Sequence, residues 1–351
     1  MNVRRLQVAF SLLLTIAVAV LVVLNFSFIV ESLRLAADAR LEWVIVAFVL
    51  ELFGFFVASQ VYRLALKSLG YAAHHPLRLW AAAMIAIVMS QSFPAGGVAS
   101  YAFLVHSFRR RGVSSAHSAL IASLEALSYG TAMILLFGFS LIYILLNGTL
   151  GSNELSSIAA ALVGVVIIGA AAFVLTREET LLLRGALMVK RTLEALSRRS
   201  WGDEGVTKAI GELARGRELI TARWTDMLIM IVTQLAALTI HSLALMAVLY
   251  SLGAVVSLPV VLAAFGVALV SSTFNVLPGG GGTVEAAIVL TLQGLGVGPA
   301  AVPATVIFRL LNYWCMVPIA LIGYRMLMHG AVPEREDGGR RADEVELRAE
   351  G

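Results

Sequence analysis

Apolar residues run along this chain in blocks of about 18 to 30, parted by short polar segments that hold most of the charge. A block of that length crosses about 30 Å of hydrocarbon at 1.5 Å per residue. In lipid the backbone must satisfy its own polar groups, so each block is a helix. The pattern predicts full spans at 7–30, 43–66, 116–146, 157–175, 224–250 and 299–328.

Two further apolar stretches, 79–108 and 258–294, are interrupted near the middle. One reads Phe93-Pro94-Ala95-Gly96-Gly97, the other Leu277-Pro278-Gly279-Gly280-Gly281-Gly282. Proline removes a backbone donor and clustered glycine is costly in a helix, so neither runs through as one regular helix. Each half is short for a span but fits one limb of a re-entrant hairpin. The expected fold is an all-α membrane protein with about six transmembrane helices and two re-entrant helical hairpins.

Basic residues set the orientation. With the N-terminus in the cytoplasm, Arg63, Lys67, Arg78, Arg109-Arg110-Arg111, the ten basic residues in 177–223, Arg325 and the tail fall inside, and only Arg34 and Arg40 fall outside. Reading either hairpin as a full span would put the downstream basic segments on the wrong side. Both termini are therefore expected in the cytoplasm. The first apolar block is longer than the core of a cleaved signal and reads as a signal anchor; cleavage after Ala37-Asp38-Ala39 is the alternative. The connector 177–223 reads as an amphipathic helix on the inner leaflet or a solvated linker helix, and 331–351 as a disordered tail. Residues 1–330 thus form one membrane domain.

Laying Pro94 on Pro278 fixes an offset of 184, and the alignment runs without a gap to Tyr129 and Tyr313. Gly96, Gly97, Ala102, Val105, Gly112, Val113, Ala116, Leu127 and Tyr129 all meet identical residues. The repeats cover about 78–146 and 258–328. Three full spans separate the hairpins, so the repeat has inverted topology, an organisation many alternating-access transporters use with the substrate site at the repeat interface.

The composition, 59% hydrophobic and 14% charged, excludes an ordinary soluble domain. The net charge of +4 is no nucleic-acid signature, because the basic residues flank apolar segments. The single Cys315 excludes an internal disulfide framework and a cysteine metal cluster. No cofactor or metal is expected.

Ionisable residues inside the blocks are few: Glu51, Glu125, Glu285 and Arg309. A charge at the bilayer centre costs from about 3 to more than 10 kcal/mol, so such groups are paired or line a cavity. Glu125 and Arg309 are equivalent under the 184-residue offset, and a pair between them near the centre is expected, either as the heart of a site or as a structural tie. The helix after Gly282 has Thr283 as candidate N-cap and Glu285 in its first turn. Its start, with 279–282, favours a phosphate; Glu285 either stabilises that start or touches substrate. Glu51 reads equally well as a packed, protonated carboxyl. His241, Asn275, Asn312 and Tyr313 are more often interhelical hydrogen-bonders than ligands.

The segment from Asn275 through Pro278-Gly279-Gly280-Gly281-Gly282-Thr283-Val284-Glu285, then Gly294-Leu295-Gly296-Val297 and Phe308-Arg309-Leu310-Leu311-Asn312-Tyr313-Trp314, resembles the lysylphosphatidylglycerol synthase transmembrane, flippase-like, domain family. Its signature is Pro-Gly-Gly-x-Gly-x-x-Glu, a Gly-Val turn, and an Arg followed by Tyr-Trp. Pro94-Ala95-Gly96-Gly97 through Arg111-Gly112-Val113-Ser114 matches a weaker first motif; members often carry Gly-Glu-x-x-Arg where this chain has Gly97-Val98-Ala99-Ser100-Tyr101. The resemblance implies an inner-membrane protein that moves a lipid between leaflets. The candidate substrate-binding residues are Arg309, Glu125, Glu285, Pro278, Gly279, Gly280, Gly281, Gly282, Pro94, Gly96, Gly97, Asn312 and Tyr313.

The leading expectation is a flippase-like transporter of a phospholipid, aminoacyl-phospholipid or polyprenyl phosphate, whose partner is a membrane lipid with an anionic phosphate headgroup. The alternatives are a secondary carrier with Glu125 as coupling carboxylate, or a non-catalytic subunit beside a separate synthetase; homo-oligomers are compatible with both. An enzyme is not expected: no metal-ligand spacing or nucleophile elbow stands in the sequence, and the longest cytoplasmic segment, under about 50 residues, is too short for a synthetase domain.

Overall fold

Every apolar block that the computed structural model describes is helical, as the absence of hydrogen-bonding partners in lipid requires. The described residues are 34, 39–72, 75–92, 96–147, 224–273 and 282–329. They form helices α1 (Leu41–Ser68), α2 (Pro76–Ser92), α3 (Gly96–Arg109), α4 (Ser115–Asn147), α5 (Trp224–Ser251), α6 (Leu258–Thr273), α7 (Thr283–Gly294), α8 (Gly298–Arg309) and α9 (Met316–His329). The protein is an all-α membrane protein. Among the described residues four helical stretches are long and apolar enough to cross a bilayer. They are α1, α4, α5 and the run from α8 into α9, Gly298–Arg325. The expected spans 7–30 and 157–175, the connector 177–223 and the tail 331–351 lie outside the described residues.

Both interrupted stretches resolve into paired short helices. In the first, α2 packs on α3; in the second, α6 packs on α7. The last span departs from the expectation of one regular helix. Residues Leu310–Trp314 form a π turn, closed by the Cys315 N–H donating to the Leu310 carbonyl at 2.8 Å. Such a turn admits one extra residue and shifts the side chains around it, a feature frequent at functional sites.

The repeat reaches further than the sequence identities do. Helices α1 and α5 are both 28 residues long and are related by an offset of 183, from Leu41 to Trp224. They close on matching turns: Tyr71 N–H donates to Leu66 O at 2.9 Å, and Ala254 N–H donates to Leu249 O at 3.0 Å. Gly70 and Gly253 supply the left-handed residue in each. At the original offset of 184, the turns at Gly112 (φ +83°) and Gly296 (φ +87°) also match. There Val113 N–H donates to Phe108 O, and Val297 N–H to Leu292 O.

Helices α1 and α5 run antiparallel, which makes the inversion visible. The Arg40 N–H donates to Ser251 O at 3.0 Å and its guanidinium to Tyr250 O at 2.6 Å, so the start of α1 caps the end of α5. At the opposite end, Met227 and Met230 of α5 share a core with Tyr62, Ala65 and Leu66 of α1. The remaining elements exchange across this axis: α2 packs on α9, and its counterpart α6 packs on α4. Two apolar cores result, one toward each end of α1 and α5. Large apolar side chains also face outward, among them Val49, Phe53, Leu135, Ile142 and Val232, as a lipid-facing surface requires.

Candidate functional site

Arg309 closes α8 immediately before the π turn and is only 3% exposed. A guanidinium so enclosed needs compensating partners. Its Nε donates to Glu285 Oε1 at 2.7 Å, and its Nη1 donates to Gln91 Oε1 at 3.3 Å. The guanidinium carbon lies 5.4 Å from the centre of the Tyr313 ring, within cation–π range. The Tyr313 hydroxyl in turn shares a 2.8 Å hydrogen bond with Ser92.

These partners come from both helix pairs. Gln91 and Ser92 end α2, at the break of the first pair, and Glu285 sits in the first turn of α7, just past the break of the second. Arg309 and Tyr313 therefore join the two breaks through one short segment of the last span. Glu285 Oε2 is buried and has no hydrogen-bond partner among the described residues. One carboxylate oxygen thus holds the arginine while the other remains unsatisfied.

The expected Glu125–Arg309 pair does not form. Arg309 pairs with Glu285 instead. Glu125 is partly buried in the first third of α4, with Tyr62 and Tyr129 close enough to feel its charge. Equivalence in a repeat fixes where a residue sits along its helix, whereas contact depends on the direction of the side chain. The helix start is also corrected: Gly282, at φ +86°, occupies the N-cap, and Thr283 is the first helical residue. The left-handed backbone there favours glycine.

Of the other expected site residues, Gly96 and Gly97 open α3, and a Cβ on Gly97 would meet nothing within 4 Å. Asn312 and Tyr313 both lie in the π turn. Pro94, Pro278, Gly279, Gly280 and Gly281 lie outside the described residues, as does Asn275. Sequence reasoning missed Gln91 and Ser92, although a polar pair directly before Phe93-Pro94 in an apolar stretch was an available signal. Asn312 also turns away from the arginine, donating from Nδ2 to Glu51 Oε2 at 2.7 Å.

The model of the lysylphosphatidylglycerol synthase TM region matches residues 7–320, and the chain belongs to that family. No curated protein matches it.

Proposed function

We propose that this member of the family moves a lipid with an anionic phosphate headgroup between leaflets, and that Arg309 is the group that receives the phosphate. The observation that carries this reading is the Arg309–Glu285 pair, an enclosed guanidinium whose carboxylate partner stands at a helix break. A headgroup phosphate offers the same bidentate recognition as a carboxylate and can take its place. The start of α7 adds backbone donors and the positive end of a helix dipole.

The inverted arrangement of two broken helix pairs supports transport rather than group transfer, because it gives one site access to either side by rocking about its own axis. In this reading the pairs are re-entrant hairpins, both termini are cytoplasmic, and the membrane is the inner membrane of the cell. The lipid is a phospholipid, an aminoacyl-phospholipid or a polyprenyl phosphate.

The test is leaflet exchange of labelled lipids by purified protein in liposomes, comparing phosphatidylglycerol, its lysyl form and a polyprenyl phosphate. Exchange of one class, lost in folded Arg309→Ala, is the expected result. Flux of a soluble ion without lipid exchange would replace this reading with a carrier in which Glu125 is the coupling carboxylate. No transport of either kind by folded protein would leave a subunit that partners a separate synthetase.

A further inference from the structure

A second enclosed ionisable cluster lies beside the Arg309 site. Glu51 of α1, fully buried, has its Oε2 within 2.7 Å of His241 Nδ1 on α5 and accepts from Asn312 at the same distance. Its Oε1 is buried with no hydrogen-bond partner among the described residues. The His241 ring is wedged in place, with Phe55 at 4.6 Å between centroids and Gly54 so close that a Cβ there would fall 2.7 Å from Cε1.

We propose that Glu51 and His241 form a proton-binding site that takes up one proton when an anionic headgroup occupies Arg309. This rests on the transport reading above. The cluster lies where the two antiparallel, repeat-related helices pack together, and Asn312 ties it to the π turn that follows Arg309. A negative headgroup entering a low-dielectric site raises the affinity of a neighbouring carboxylate for a proton, and the linkage is reciprocal. The proton comes from water and adds to Glu51 Oε1, forming an O–H bond and converting the carboxylate to a neutral acid. A singly charged lipid and its proton then move together with no net charge.

The surrounding elements also carry Tyr62 on α1, Arg78 at the start of α2, Glu125 and Tyr129 on α4 with His117 and Tyr143 toward its ends, and Glu285 in the first turn of α7. The last span adds Arg309, Tyr313 and Cys315, and α6 carries none. Glu42, Arg63 and Lys67 on α1, and Asp226 and Tyr250 on α5, lie toward the helix ends. Glu285, which a headgroup displaces from Arg309, and Glu125 are the competing proton acceptors among them; because Glu285 belongs to the lipid site itself, Glu125 supplies the comparison variant.

Calorimetric titration of the full chain in detergent with dihexanoyl phosphatidylglycerol, run in buffers of different ionisation heat, reports binding and proton uptake together. We expect uptake of about one proton per bound lipid, absent in Glu51→Gln and retained in Glu125→Gln. Glutamine keeps an acceptor for Asn312, and His241→Gln serves as second variant should Glu51→Gln fail to fold. Binding without proton uptake, or uptake unchanged in both Glu51→Gln and His241→Gln, overturns the proton site and leaves the transport reading standing. No binding at all overturns both.

Discussion

Arg309 and Glu285, 24 residues apart and on different helices, meet through a 2.7 Å bond from Nε to Oε1. That bond ties the last span to the helix that restarts after the second break. Replacing Arg309 by lysine keeps the charge but cannot hold Glu285, Gln91 and the Tyr313 face at once. Arg309→Lys is expected to lower lipid exchange at least about tenfold, equivalent to about 1.4 kcal/mol. Arg309→Ala, which strands a carboxylate, is expected to destabilise by about 3–5 kcal/mol. Exchange assays and thermal melts of both variants check this.

The Tyr313–Ser92 hydrogen bond joins the last span to the end of α2, with both residues buried. Tyr313→Phe leaves the Ser92 hydroxyl without this partner and is expected to cost about 1–3 kcal/mol. Ser92→Ala with Tyr313→Phe should cost less than the two single changes together. A double-mutant cycle of melting data gives the answer.

Gly266 of α6 lies against α4, and a Cβ there would stand 2.9 Å from the Leu136 carbonyl oxygen. Backbone cannot yield cheaply, so Gly266→Ala is expected to destabilise by about 1–3 kcal/mol. Gly97→Ala, in open space at the start of a helix where the backbone suits alanine, is expected to stabilise by about 0.4–1 kcal/mol by restricting the unfolded chain. Shifts in melting temperature of opposite sign would confirm the contrast.

Arg111, in the turn between α3 and α4, donates to Ser107 at 2.8 Å. Burial first, and then Arg78 and Arg110, pull its pKa down to about 10. A cation with a lowered folded pKa opposes folding below that value, and the opposition fades as pH rises from about 10 toward its ordinary 12.5. Arg111→Gln is therefore expected to raise the melting temperature at pH 7, with the gap to wild type narrowing at high salt. Melts across salt concentrations test the sign.

Orientation is open to direct measurement because Cys315 is the only cysteine. In a Cys315→Ser background, Arg110→Cys is expected to react with impermeant maleimide from the cytoplasmic side, and Arg40→Cys from the opposite side. Labelling of both from one side would reverse the reading of the first helix pair.

Hydropathy and punctuation are local properties, and they located α1, α4, α5 and the two broken stretches to within a few residues. The 184-residue offset likewise located the matching turns at Gly112 and Gly296. The extension to α1 and α5 was not legible, since their offset shifts by one and few identities survive in helices that need only be apolar.

Which side chains meet was decided by tertiary structure alone. The sequence identified Glu51, Glu125, Glu285 and Arg309 as costly in lipid, because hydration lost on burial depends on residue type. It could not assign their partners, because helix rotation and the π turn at 310–314 set where each side chain points. Packing therefore brought Arg309 to Glu285 and Gln91, and Glu51 to His241 and Asn312, while Glu125 was left near Tyr62 and Tyr129.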